Sequence, residues 1–159
     1  MNEAAKKTVL RLFTYGLFVV TAGQGDEASA MTVNWLSQAG FEPPMVMLAV
    51  EADSRSRRVI EAAGAFAVNV LDSGQRELAG QLGRASVKRP DKFQGVATTA
   101  GPVTGAPLLQ AALGWLECRV AGSLPAGDHV VVVAEVVEAG VNREGRPLTM
   151  AEAGFRYFG

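Results

Sequence analysis

Residues 53–58 bring two hydroxyl side chains, Ser54 and Ser56, together with three arginines, Arg55, Arg57 and Arg58. Aspartate and serine are good N-cap residues, so this segment predicts the start of a helix. The N–H groups and dipole of a helix N-terminus favour an anion, and arginine can bind phosphate oxygens with two hydrogen bonds. The residues therefore indicate an anion site, with an ordinary N-cap and solvated arginines as the alternative.

The chain has one histidine, His129, which follows Gly127 and Asp128 at the start of an apolar run. A histidine there could donate a proton, or could stack and hydrogen-bond in a pocket; the alternative is a strand-end residue with no chemical task. A Ser-His-Asp hydrolase would need this same histidine. The sequence has no Gly-x-Ser-x-Gly elbow to accompany it, which argues against that class.

Two further motifs carry weaker signals. Residues 23–28 match Gly-x-Gly-x-x-Ala, but a second strand follows instead of a helix, and Asp26 and Glu27 would repel phosphate, so the segment predicts a hairpin turn. Lys88, Arg89 and Lys92 form a basic cluster, which is either a solvated loop or an addition to the anion site.

Metal and disulfide chemistry find little support in the sequence. Cys118 is the one cysteine, so an intramolecular disulfide is excluded, and we interpret it as a small core residue. One cysteine and one histidine are too few for a zinc site built from such ligands. A site of carboxylate oxygens for a hard cation stays open but has no motif here, so we expect no metal.

Strands dominate the predicted elements. We expect helices at 4–13, 53–63 and 75–82, an irregular stretch at 84–109, a bend at 40–44 and a turn at 122–128. The apolar run 45–50 predicts a fully buried strand. The predicted strands are 17–22, 31–35, 45–50, 66–71, 113–120, 129–137 and one or two in 148–158. Strands that follow one another without helical crossovers predict a mainly β (α+β) fold, a small antiparallel barrel with a few peripheral helices.

Composition bounds the class of protein. With 159 residues, 48% hydrophobic and 19% charged, the chain fits one compact domain over 1–159, and it is too apolar for a disordered chain. The low charged fraction suggests an oligomer. The net charge of −1 gives no electrostatic footprint for nucleic acid. The polar N-terminus lacks a secretory signal, and no apolar run reaches the ~18 residues of a membrane span, so we expect a cytoplasmic protein.

The order of the segments resembles a known family more clearly than any one motif does. The resemblance rests on residues 15–21, 31–38, 41–44, 66–71, 91–93, 116–119, 127–129 and 147–148. Together they are similar to the flavin reductase family with the FMN-binding split-barrel fold, and in particular to its flavoredoxin-like branch. The resemblance covers residues 8–158, and it implies a homodimer that binds FMN, or FAD in some members.

This resemblance also implies which residues hold the cofactor and the co-substrate. The implied flavin contacts are Thr32, Val33, Asn34, Trp35 and Gln38. The segment with Ser54, Arg55 and Ser56 would hold the phosphate, assisted by Lys88 or Lys92. His129 would lie near the flavin face where the nicotinamide of NAD(P)H docks. Gly40 stands where many relatives have serine, which puts substrate preference in doubt more than flavin binding.

Three functions remain open at this point. The first is an NAD(P)H-dependent flavin reductase that supplies electrons to an oxygenase, a ferric complex or a protein acceptor. The second is an FMN-holding electron-transfer module, reduced by a protein donor without NAD(P)H activity. The third is a split-barrel protein that has lost flavin and acts through its dimer surface.

Overall fold

The computed structural model describes residues 1–85 and 91–157, which form nine strands and four α-helices. The strands are β1 Phe18–Ala22, β2 Ser29–Val33, β3 Leu36–Phe41, β4 Pro44–Glu51, β5 Ala65–Val70, β6 Thr98–Ala100, β7 Pro107–Leu109, β8 Gly114–Ala126 and β9 His129–Val141. The helices are α1 Glu3–Leu10, α2 Arg55–Ala63, α3 Arg76–Gly83 and α4 Met150–Ala153.

Seven strands form one antiparallel sheet in the order β2-β1-β5-β8-β9-β4-β3. Its two edge strands, β2 and β3, are consecutive in the chain and are separated only by Asn34 and Trp35. The Trp35 carbonyl accepts a hydrogen bond from Ala49 of β4 at 2.9 Å. The chain therefore passes directly from one edge of the sheet to the other, and residues 34–35 lie where the two edges meet.

Two apolar cores lie on the two faces of this sheet. Strand β1 shows the alternation: Val20 belongs to one core and Val19 to the other. The first core also contains Phe66 of β5 and Ile60 of α2. The second packs α3 and the C-terminal segment against the opposite face of β1. Helices α2 and α3 are thus fixed against the same strand pair, β1 and β2.

The long hairpin β8–β9 turns at Gly127 and Asp128, and Gly127 has φ +68°, a backbone conformation that glycine adopts without strain. The turn therefore lies within the predicted range 122–128, but the predicted length is wrong, because β8 continues to Ala126. Beyond Arg119 this strand pairs only with β9, and an edge position tolerates Pro125. The tight turn makes His129 the first residue of β9.

Other local predictions need correction. Strand β4 is not fully buried; its residues alternate, and Met47 is 43% exposed. Strand β3 occupies part of the segment where a bend was expected. Up to residue 157, the C-terminal segment forms the short helix α4 and isolated bridges to Gly16 and Asp72, not strands. No described helix is long and apolar enough to cross a membrane.

Candidate functional site

A cavity of about 1,000 Å³ opens between α2, α3, the β2–β3 junction and the C-terminal segment. This volume lies at the upper end of the ~300–1,000 Å³ range for small-molecule sites. Its walls are formed by Leu17, residues 31–35, 49–51, 53–56 and 58, residues 79–80 and 83–85, Lys92, His129, Met150 and residues 154–157. Most of the residues that the sequence singled out therefore line one pocket.

The N-terminus of α2 forms one end of this pocket. Ser54 is the N-cap, and its hydroxyl accepts a hydrogen bond from the Arg57 N–H at 3.2 Å. The Arg55 guanidinium donates to the Ala28 carbonyl at 3.3 Å, and the buried Ser56 hydroxyl lies 2.9 Å from that of Ser29. Hydroxyl, guanidinium and helix N–H groups meet here, which is the donor set expected for a phosphate.

Lys92 adds a buried cation to the same wall. Its ammonium donates to the Ala30 carbonyl at 2.9 Å, and the residue is only 7% exposed. Burial, and secondarily the nearby Arg55 guanidinium, lower the pKa of Lys92. An ammonium has three N–H donors, so the bond to Ala30 leaves donors for an anion in the pocket.

The other basic residues of segments 53–58 and 88–92 do not all lie at the pocket. Arg57 pairs with Glu61 on the exposed side of α2 at 2.9 Å and does not line the pocket. Arg58 does line it, and donates to the Asp53 carbonyl at 3.0 Å. Lys88 and Arg89 lie outside the described residues, so the suggested contribution of Lys88 stays a prediction.

Three rings form the other end of the pocket. The Trp35 ring centroid lies 4.7 Å from that of His129 and 5.3 Å from that of Tyr157. Trp35 follows the edge strand β2, His129 begins β9, and Tyr157 belongs to the C-terminal segment. Aromatic faces of this kind suit a planar ring system as ligand.

A chain of hydrogen bonds runs through the ring cluster. His129 Nδ1 lies 2.7 Å from Asp128 Oδ1, and Nε2 lies 3.0 Å from the Tyr157 hydroxyl. That hydroxyl donates to Glu51 Oε1 at 2.8 Å. The hydrogen bond to His129 lowers the pKa of Asp128, whereas burial and the Glu51 carboxylate raise the pKa of Tyr157.

The sequence prediction included His129 but missed both Glu51 and Tyr157. These two are 106 residues apart, so no local motif joins them. In the sequence, the only signs of a role for them were that Glu51 ends an apolar strand and that Tyr157 lies in an aromatic segment after Gly154.

Strand β2 and the β2–β3 junction carry most of the other residues that were predicted to contact flavin. Thr32, Val33, Asn34 and Trp35 all line the pocket. The Thr32 hydroxyl donates to the Ala79 carbonyl of α3 at 2.6 Å. The Asn34 amide lies 3.2 Å from the Met150 sulfur and 3.4 Å from the Tyr157 carbonyl, so it holds the C-terminal segment.

Gln38 is not brought to this pocket. It is exposed on β3, and its amide donates to the Gly40 carbonyl at 3.3 Å. Its role as a flavin contact therefore gains no support from this chain alone.

The donor set fits a flavin nucleotide. One end offers the groups that bind phosphate, the other offers aromatic faces, and the wall between them is the partly apolar strand β2. No group of three or more His, Cys, Asp or Glu residues within the described ranges could hold a metal ion. A planar redox cofactor with a phosphate would use both ends at once.

Comparisons with known proteins agree with this assignment. A model of the flavin reductase like domain matches residues 10–159. The reductase component of 4-hydroxyphenylacetate 3-monooxygenase from Thermus thermophilus is 36% identical over 156 residues, which is 98% of this chain and 96% of that protein. Diflavin flavoprotein A 1 of Synechocystis is 34% identical over 130 residues, but those residues are only 22% of its length.

A solved structure shares the fold. The NADH:FAD oxidoreductase SgcE6 of Streptomyces globisporus, in complex with NAD and FAD fragments, superposes with a TM-score of 0.84 at 31% identity. The superposition covers 99% of this chain and 93% of that one. The predicted mainly β split barrel with peripheral helices is thereby confirmed.

Proposed function

The chain belongs to the flavin reductase family, and on that premise we propose that it is an oxidoreductase that transfers a hydride from NAD(P)H to FMN or FAD. Electrons then pass from the reduced flavin to an oxygenase, a ferric complex or another protein. One observation carries the proposal: a single pocket joins the cationic, hydroxyl-rich N-terminus of α2 to the rings of Trp35, His129 and Tyr157.

A bound flavin supplies the redox chemistry, and the protein supplies binding, orientation and electrostatics. Ser54, Arg55 and Ser56 would bind the phosphate, with Lys92 contributing charge from the same end of the pocket. Residues 32–35 would line the isoalloxazine and ribityl chain. FMN is the flavin we favour, because its terminal phosphate matches a compact anion site at one end of the cavity.

His129 is the residue that we assign to the nicotinamide side of the pocket. It lines the pocket beside Glu51, its partner across the sheet, and Asp128 fixes its ring through Nδ1. Trp35 packs against the same ring and limits its rotation. A fixed imidazole at a pocket wall can orient a second planar ligand without itself forming a bond to it.

An oxygenase component is the electron acceptor that the comparisons favour. The Thermus thermophilus relative is named as the reductase component of a monooxygenase, and this chain matches it over nearly its full length. We therefore expect this chain also to act as a separate reductase whose product is reduced flavin.

The functional unit that we propose is a homodimer of a single-domain chain spanning 1–159. Apolar side chains that a monomer would leave in water support it: Phe41 is 89%, Val141 is 85% and Leu12 is 75% exposed. Light scattering should give about twice the 16.7 kDa chain mass. A flavin-loaded species of 16.7 kDa would contradict the dimer.

We place the protein in the cytoplasm, where reduced nicotinamide is supplied, and cell fractionation would check this.

An electron-transfer module is the second candidate. The likeness to a diflavin flavoprotein favours it, since this chain matches only one segment of that longer protein. In this case flavin would remain bound but would receive its electrons from a protein donor.

One titration separates the candidates. The protein is mixed with FMN, desalted, and treated anaerobically with NADH and then NADPH while the visible spectrum is recorded. Bleaching of retained flavin by either nucleotide supports the reductase and identifies the donor. Retained flavin that resists both supports the electron-transfer module.

A protein that loses its flavin on desalting needs one more measurement, because some reductases use flavin as a substrate. Catalytic oxidation of NADH or NADPH with excess FMN then supports the reductase. No flavin retention and no turnover with FMN or FAD would overturn both candidates and leave a split barrel that acts through its surface.

A further inference from the structure

Asp128, His129, Tyr157 and Glu51 form one chain of hydrogen bonds. Each ring nitrogen of His129 lies beside an oxygen that can accept a hydrogen bond, whereas a neutral histidine has only one N–H to donate. The members of the chain come from three places: the β8–β9 turn, the end of β4 and the C-terminal segment. All three heavy-atom distances lie within hydrogen-bonding range, at 2.7, 3.0 and 2.8 Å along the chain.

Counting hydrogens along this chain fixes the state of the imidazole. A phenol has one hydrogen, and Tyr157 donates it to Glu51, so its oxygen can only accept from His129 Nε2. The Asp128 carboxylate can only accept, so His129 Nδ1 must donate to it. If all three bonds of the chain are made at once, both ring nitrogens carry a hydrogen, which is the imidazolium form of the ring.

A neutral His129 would leave one bond of the chain unmade. With a hydrogen on Nδ1 alone, Tyr157 would have to turn its hydroxyl hydrogen toward Nε2, and Glu51 would lose its donor. The carboxylates of Asp128 and Glu51 both favour the cation. The Trp35 ring, 4.7 Å away, adds a polarisable face that attracts positive charge.

Other charged groups at the pocket lie outside this hydrogen-bond chain. Arg55, Arg58 and Lys92 line the wall near α2, Asp53 precedes that helix, and Arg84 and Arg156 also line the pocket. The side chains of Arg55, Arg58 and Lys92 donate instead to the carbonyls of Ala28, Asp53 and Ala30. The hydrogen bonds of the His129 ring are therefore made with Asp128 and Tyr157, and Glu51 acts through Tyr157.

We propose that Tyr157 is a positioning residue that, together with Glu51, holds His129 as a doubly protonated cation facing the pocket. The consequence for chemistry rests on the proposed function: His129 then supplies positive charge to the reduced flavin and does not act as a proton acceptor. Preorganised charge aimed at developing negative charge is a strong source of rate enhancement in a partly dry site.

The single histidine makes a direct test simple. Nitrogen-15 NMR of the labelled, flavin-free protein at pH 7 reports the protonation of both ring nitrogens of His129 without overlap from any other histidine. We expect the imidazolium pattern in the wild type. We expect Tyr157→Phe, which removes only the hydroxyl, to convert the ring largely to the neutral form with its hydrogen on Nδ1.

Two further variants sharpen the comparison. Glu51→Gln keeps an oxygen acceptor for Tyr157 but removes the charge, so we expect an intermediate spectrum. Tyr15→Phe makes the same chemical change at the chain's other tyrosine, which does not line the pocket, and should leave the His129 signals unchanged. A neutral ring in the wild type, or a Tyr157→Phe spectrum identical to the wild type, would overturn the proposal.

The kinetic consequence has its own readout. In Tyr157→Phe we expect the rate of flavin reduction at saturating nicotinamide to fall about tenfold, as for loss of a hydrogen bond to a charged group. An unchanged rate would leave His129 charged but would refute its effect on reduction. A wild-type protein that neither binds nor reduces flavin would refute the proposed function instead, and the NMR result would still decide the state of His129.

Discussion

Ser29 and Ser56 lie with their hydroxyl oxygens 2.9 Å apart, and both residues are buried. Ser29 opens β2, the strand that lines the length of the pocket, and Ser56 lies in the first turn of α2. The contact therefore ties the anion end of the pocket to the strand that leads to the aromatic end. A phosphate held at α2 would have its attached chain directed along β2.

This arrangement predicts how the anion site recognises flavin. Replacing Arg55 and Ser56 together by alanine should weaken FMN binding by about 100-fold, since each lost hydrogen bond to a charged group costs about 1.5 kcal/mol or more. Riboflavin has no phosphate, so its affinity should change much less. Fluorescence quenching titrations with the two flavins measure both values.

The matched control is Arg57→Ala, which removes an arginine of the same helix that pairs with Glu61 outside the pocket. It should leave both flavins within about twofold of the wild type, as expected for a surface pair. Equal weakening of FMN and riboflavin by the double variant would show that this segment is not the phosphate site.

A pH dependence follows from the buried Lys92. Phosphate favours the charged ammonium, so binding is strong below the pKa of Lys92 and weakens as pH rises through it. Burial and Arg55 lower that pKa, so the loss should begin below the ~10.4 of an ordinary lysine. FMN affinity measured from pH 7 to 10 should fall, and the ratio of FMN to riboflavin affinity isolates the phosphate contribution.

Lys92→Arg is the control, because a guanidinium stays charged throughout this pH range. In the wild type the ratio of FMN to riboflavin affinity should fall as pH rises, whereas in Lys92→Arg this ratio should stay constant. An identical pH profile for the two proteins would mean that Lys92 does not contact the phosphate.

Local patterns predicted those elements whose determinants are adjacent in sequence. Helix α2 begins at an N-cap, Ser54, and ends at Gly64, whose φ of +63° is left-handed. Strands β1 and β5 are runs of β-branched and aromatic residues, and both lie close to the predicted bounds. The helix start that we propose as the anion end of the site was therefore predictable from sequence alone.

Features that depend on residues far apart in the sequence could not be predicted from local patterns. Strand β3 has polar, exposed Ser37 and Gln38 and no apolar alternation; its pairing with β4 defines it. The length of β8 depends on β9, and the position of Tyr157 depends on Glu51 and Asn34. Tyr157 and Glu51 could thus be assigned to the aromatic end of the pocket only after the chain was folded.

His129→Ala should separate flavin binding from nicotinamide-dependent reduction. The imidazole lies at the aromatic end, away from the donors that we assign to phosphate, so FMN Kd should stay within about threefold, the scale of one weak contact. The reduction rate with excess NADH or NADPH should fall by about 100-fold, as for loss of a preorganised electrostatic group. Anaerobic stopped-flow absorbance measures this rate, and an unchanged rate would leave His129 as a residue with no catalytic task.

The stability of the barrel should depend on a buried carboxylate far from this chemistry. Glu117 of β8 is fully buried and accepts hydrogen bonds from the N–H groups of Val103 at 3.1 Å and Thr104 at 2.7 Å. Glu117→Ala would leave these donors unpaired beside a cavity, so urea unfolding should show a loss of about 3 kcal/mol. Glu138→Ala, on the exposed position paired with Glu117 across β9, should change stability by less than about 0.5 kcal/mol. Equal losses in the two variants would contradict the role of Glu117 in fastening the 101–106 loop to the sheet.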